Sequence, residues 1–176
     1  MNFQFFVEKL QRLDNYKEFI SKNPGIFPCS AFFVIDKEKK GSEEDKQHFD
    51  FYIPSAKKMF SFQLENGGEL VSVELVEGEK VSSEVSLKMD FEFGEIERLI
   101  EKKMEEEKIK SKVQRYLFSF QKKDGKHFLI GTVFISGLGI LKVSIDLEKM
   151  EIIDFGKKSF FEILNIKKSG KKDKSS

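Results

Sequence analysis

His48-Phe49-Asp50-Phe51-Tyr52-Ile53, Phe60-Ser61-Phe62-Gln63-Leu64 and Val71-Ser72-Val73-Glu74-Leu75 follow one another closely between residues 48 and 75. In each run, apolar side chains alternate with polar or exposed positions. That period of two is the mark of a strand with one buried face. Pro54 to Lys58 turns the chain between the first two runs. Asn66-Gly67-Gly68 is a hairpin signal before the third. Upstream, Ala31-Phe32-Phe33-Val34-Ile35-Asp36 is an apolar run of strand length, set off by the polar loop from Lys37 to Gln47. Farther upstream the period changes. Phe3, Phe6, Val7, Leu10, Leu13, Tyr16 and Ile20 recur every three or four residues, which predicts one amphipathic helix stopped by Asn23-Pro24-Gly25. The first half therefore reads as a helix followed by four antiparallel strands.

The second half repeats this order. Ile96, Leu99, Ile100 and Met104 mark the buried face of a second helix, with Lys102, Lys103, Glu106, Glu107 and Lys110 on its wet side. Tyr116, Phe118 and Phe120 then alternate, Asp124-Gly125 signals a hairpin, and His127 to Ile135, Ile140 to Asp146 and Glu151 to Phe155 give three further strands. At a constant offset of 81, Ile53 falls on Phe134, Phe60 on Leu141, Phe62 on Val143, Leu64 on Ile145 and Glu65 on Asp146. The sequence thus predicts an α+β protein of two tandem α-β-β-β-β units, at 1–82 and 83–166, with a basic disordered tail at 167–176. Val85, Leu87, Met89, Phe91 and Phe93 alternate between the units, as an edge strand or an extended linker would. Phe160 to Ile166 has the length of a final helical turn.

Composition agrees with a sheet-rich core. The 176 residues include twenty Phe and no Trp, and Phe suits broad pleated faces. The net charge is +1, but the last ten residues carry five Lys and one Asp. The rest of the chain is therefore slightly acidic, at −3. That body lacks the coherent basic face of a nucleic-acid-binding domain. A single cysteine, Cys29, allows no internal disulfide and fits a reducing, cytoplasmic setting. MNFQFFVEKLQRL lacks the basic stretch and long apolar run of a signal peptide. No window is apolar enough to span a membrane.

The stretch Val143-Ser144-Ile145-Asp146-Leu147-Glu148-Lys149-Met150-Glu151-Ile152 resembles the closing V-x-V-D-x-x-T-G-E-V pattern of PepSY domains. The resemblance covers about residues 94–155. Asp146, Glu151 and Ile152 stand where the pattern puts them, whereas Lys149 and Met150 replace its Thr-Gly pair. Loss of that glycine removes the residue best suited to positive φ in the turn. The resemblance implies a PepSY-like or cystatin-like layout, one helix wrapped by an antiparallel sheet. PepSY-like domains are usually exported and are regarded as peptidase-inhibitory or regulatory modules.

No catalytic spacing is visible. His48 and His127, the only histidines, occupy corresponding strand starts and are binding candidates as a symmetric pair. Neither lies in a metal or acid–base motif, and no cofactor is expected. Tyr116, on a Phe-rich strand flanked by lysines, is a candidate stacking residue. Lys171 and Lys172 in the tail are candidates for attraction to anions. Gly67-Gly68 and Gly137-Leu138-Gly139 join strand to strand, so they are turns and not phosphate cradles. The expected function is a non-enzymatic binding or regulatory module whose partner is a protein or peptide, with nucleic acid disfavoured and oligomerisation left open. The alternative is a small enzyme or ligand carrier with an apolar pocket enclosed by a curved sheet.

Overall fold

A computed structural model describes residues 1–39, 45–75 and 81–159. The order is α1 (Phe3–Arg12), α2 (Asp14–Lys22), β1 (Phe27–Asp36), β2 (Lys46–Ile53), β3 (Lys58–Gln63), a short 3-10 turn (Leu64–Asn66), β4 (Glu69–Val73), α3 (Phe93–Glu106), β5 (Val113–Lys123), β6 (Lys126–Ile135), β7 (Gly139–Asp146) and β8 (Glu151–Ser159). The strands form a single antiparallel sheet in the order β4-β3-β2-β1-β5-β6-β7-β8. The first four strands and the last four join through β1 and β5, where Phe33 lies opposite Phe118. The final apolar stretch and the lysine tail, with Lys171 and Lys172, lie outside the described residues.

One row across the sheet shows how the core is organised. Ile152, Ile145, Leu129, Phe120, Ala31, Phe49, Phe62 and Leu70 sit side by side across all eight strands. Every member is apolar, and this face carries the helices. Phe3 on α1 is fully buried, with its ring centroid 5.0 Å from that of Phe120, 5.8 Å from Phe49 and 4.9 Å from Phe91. Phe93 at the start of α3 lies 4.8 Å from Phe33 and 5.3 Å from Phe91. These tilted, edge and stacked contacts suit the ring quadrupole and contribute beyond simple area burial. Much of the abundant phenylalanine thus forms one layer between helices and sheet.

The predicted single N-terminal helix is two helices. Leu13 is extended (φ −68, ψ 130) and separates them. The break turns α2 onto β2 and β3, where Tyr16 meets Phe51 and Phe62, and Phe19 meets Phe60 and Phe62. Gly68 holds the kink from the other side. It has φ +84, a Cβ there would sit 2.2 Å from Leu13 Cδ1, and its carbonyl accepts a hydrogen bond from Asn15 Nδ2 at 2.7 Å. The Asn66-Gly67-Gly68 signal therefore marks the exit of a 3-10 turn instead of a two-residue hairpin.

The alternating segment from Val85 to Phe91 is a linker and not an edge strand. Its polar backbone groups are satisfied along the helical face. Gln4 Nε2 donates to the Leu87 and Met89 carbonyls, the Val85 N–H donates to the Pro28 carbonyl, and the Phe3 N–H donates to the Phe91 carbonyl. Alternation here arises because the linker buries Val85 and Phe91 in the core, Phe91 against Phe3 of α1.

The fixed offset of 81 does not hold through every strand. Val143 and Phe62 both face the helices, as expected. Ile53 also faces them, but Phe134 lies on the opposite side, beside Ile140 and Arg115. Phe51 faces Phe60 across β2–β3, whereas Val133 faces Leu141 across β6–β7. A single-residue change of register moves a side chain to the other face of a sheet. No helix among the described residues is long and apolar enough to cross a membrane.

Candidate functional site

The expected histidine pair is not brought together. His48 lies in a row with Phe32 and Gln63, on the face away from the helices. His127 shares the phase of Leu129 and points into the helical face. β2 and β6 are also three strand spacings apart, about 14 Å. The two residues share no site.

Each histidine instead binds a nearby glutamate. His48 Nε2 is 2.6 Å from Glu65 Oε1, and the Gln47 N–H donates to Glu65 Oε2 at 3.1 Å. His127 Nδ1 is 2.8 Å from Glu148 Oε1, and the His127 N–H donates to the same carboxylate. Burial alone would push these carboxylates up. Peptide N–H groups and the histidine rings outweigh it and hold both glutamates below the ordinary range. The partner of His127 is thus Glu148 and not Asp146, which the offset aligned with Glu65. Asp146 Oδ1 accepts the Glu148 and Lys149 N–H groups and closes the β7–β8 turn. Met150 takes positive φ (+53) in that turn, at the place where the PepSY pattern has glycine.

His127 has no free nitrogen for chemistry. The Ser86 N–H donates to Nε2 at 3.1 Å, so that atom is the acceptor and the proton belongs on Nδ1. The ring also stacks on Phe120 at 5.6 Å. This residue anchors the linker to the core. Tyr116 is likewise structural. It is fully buried under α3, stacked on Phe118 at 5.4 Å, and its hydroxyl approaches Glu101 Oε1 at 3.5 Å. Burial, then the negative charges of Glu101 and Glu97, push the phenol up. With Phe118 and Phe120 it faces the helices, so this strand offers no base-stacking platform. Cys29 is buried in a β-bulge, and burial pushes its thiol up to about 11. Such a thiol is not a nucleophile at neutral pH. Among the described residues, no group of three or more His, Cys, Asp or Glu side chains is placed to hold a metal ion.

The other, bare face of the sheet, which no helix among the described residues covers, is different. One row there reads Asp154, Ser144, Ile130, Ser119, Phe32, His48, Gln63 and Glu69. It mixes polar groups with apolar ones that the helices cannot cover. Ile130 is 42% exposed and Ile153 56%. They line an open groove of about 440 Å³ with Phe128, Gln121 and Ser144, rimmed by Lys123, Lys126 and Asp124. The β7–β8 bulge brings Ile153 into this groove, because the strand carries one extra residue between Ile152 and Asp154. A second groove holds Leu117 and Phe134 beside Asp36 and Arg115. There Arg115 Nη2 bonds Asp36 Oδ2 at 2.8 Å, and the carboxyl is held below its usual range, first by the Lys39 N–H.

An apolar floor with a mainly cationic rim can seat an apolar side chain and attract a neighbouring carboxylate. The sequence hid this site because its residues lie on four strands, and the bulge that adds Ile153 has no local sequence signal. Phe128 and Ile130 were legible only as strand residues. Comparison with protein-family models, with curated proteins and with solved structures found no match.

Proposed function

We propose that this chain is a non-catalytic binding module built from two tandem PepSY-like α-β-β-β-β units, and that it recruits a protein or peptide segment on its bare sheet face. The observation that carries this reading is the exposure of Ile130 and Ile153 over Phe128, in a groove with lysines at its rim. The tandem layout is supported by the element order, helices then four strands in each half, and by the meeting of the halves at β1 and β5. A turn closed by Asp146 supports the PepSY-like reading of the second unit. The favoured ligand segment is apolar with flanking acidic residues. The interior does not favour an enclosed ligand pocket, because phenylalanine rings at contact distance fill the space between helices and sheet.

The test places a photo-crosslinking amino acid at Ile130 and, separately, at exposed Arg98 on α3, in the native host. A discrete adduct at position 130, absent at 98 and abolished by Ile153→Asp, is the expected result. Equal adducts at both positions, or none at 130, would refute the reading.

A further inference from the structure

β8 is an edge of the sheet, and among the described strands it pairs only with β7. The other edge, β4, has five residues, while β8 has nine. A long edge presents a row of backbone N–H and C=O groups able to template another strand. Natural edges are kept short or charged to prevent this. β8 is charged, but its charges are sorted by sign. Glu151 and Asp154 lie in its first half, and Lys157 and Lys158 in its second. A second β8 running antiparallel meets opposite charge, whereas a parallel copy stacks lysine on lysine.

Register narrows this further. Beyond the bulge, Asp154, Gly156 and Lys158 lie on the bare face, opposite Ser144, Lys142 and Ile140. Phe155 and Lys157 lie on the helical face, opposite Val143 and Leu141. Residues directly opposite in an antiparallel pair share a face. A two-fold axis at Gly156 therefore sets Asp154 against Lys158 of the second copy, twice, and Phe155 against Lys157. Gly156 itself is a second indication. It lacks positive φ, and a Cβ there would have nothing within 4 Å. Neither its conformation nor packing among the described residues calls for glycine. Glycine inside a strand often marks the close approach of another backbone.

We propose that two copies of this chain pair through β8, antiparallel about Gly156, to continue the sheet across a two-fold axis. The contact is isologous, so it closes at two copies and does not propagate. Each groove at Ile130 and Ile153 then lies beside the axis, and the dimer offers two on one continuous face. This pairing does not depend on the partner-binding reading.

Sedimentation velocity across a concentration series, on the full chain, tests it with three variants. Wild type is expected to shift from monomer to dimer. Asp154→Lys and Lys158→Glu each set like charges together twice, and each is expected to weaken association by about tenfold or more. The double variant Asp154→Lys with Lys158→Glu restores opposite charges and is expected to recover most of it. Far-UV circular dichroism checks that each variant is folded. A wild-type protein that stays monomeric at its highest soluble concentration overturns the proposal. So does a dimer indifferent to the single substitutions, or a double variant no better than the singles.

Discussion

Replacing Gly68 by alanine tests whether the kink at Leu13 depends on the turn before β4. Two contributions are separable, because the adjacent Gly67 supplies a control. Gly67 has φ +68 and a Cβ there would meet nothing within 4 Å, so Gly67→Ala bears only the left-handed backbone cost, about 1 kcal/mol. Gly68 has φ +84 and a Cβ there would stand 2.2 Å from Leu13 Cδ1. Gly68→Ala adds displacement of Leu13 from its rotamer, about 1 kcal/mol. Weakening of the Asn15 bond to the Gly68 carbonyl adds up to about 1 kcal/mol more. The expected loss is about 2–3 kcal/mol. Urea unfolding at unchanged m measures it. Leu13→Ala frees the space the new methyl needs, so the double variant should lose about 1 kcal/mol less than the sum of the singles. Equal losses at positions 67 and 68, or strict additivity with Leu13→Ala, would show that the glycine does not shape the kink.

Three further outcomes are expected. Leu138 has φ +58 after Gly137 at φ +80 and is 64% exposed, so Leu138→Asn should stabilise the hairpin by about 0.5–1 kcal/mol, seen as a higher Tm; an unchanged or lower Tm would contradict this. Glu65 and Glu148 have lowered folded-state pKa values, so their stabilisation is present above the unfolded-state value and is lost as pH falls through the folded one. Glu65→Gln with Glu148→Gln should therefore flatten the decline of stability with acid, measured by denaturant midpoints over a pH series; an equally steep decline would remove these carboxylates from the account. Cys29, buried with a thiol near 11, should react slowly with a disulfide reagent in native protein and quickly in denaturant; rapid native labelling would disprove its burial.

Much of this protein was legible in its residues taken in order. Alternation from Phe49 to Leu64 and from Tyr116 to Ile145 determined strands, whereas Val71, Val73 and Leu75 marked a strand but not its inner face, since Leu70 is the residue beside Phe62. The three-and-four spacing from Ile96 to Met104 determined α3. Asp124-Gly125 determined a hairpin, because both residues accept positive φ there. These are local effects, decided by which side chains must leave water together and which backbones can bend. Tertiary structure decided the rest. Leu13 breaks a continuous helical stripe only because Gly68, distant in sequence, receives it. His48 and His127 look equivalent in sequence yet face opposite sides, since strand register depends on the partner strand and not on the strand itself. The joining of β1 to β5 depends on strands far apart in the chain, and the groove at Ile130 depends on the register of four strands and the bulge at Ile153. A single sequence specifies which side chains seek burial, but only the assembled sheet determines which of them remain uncovered.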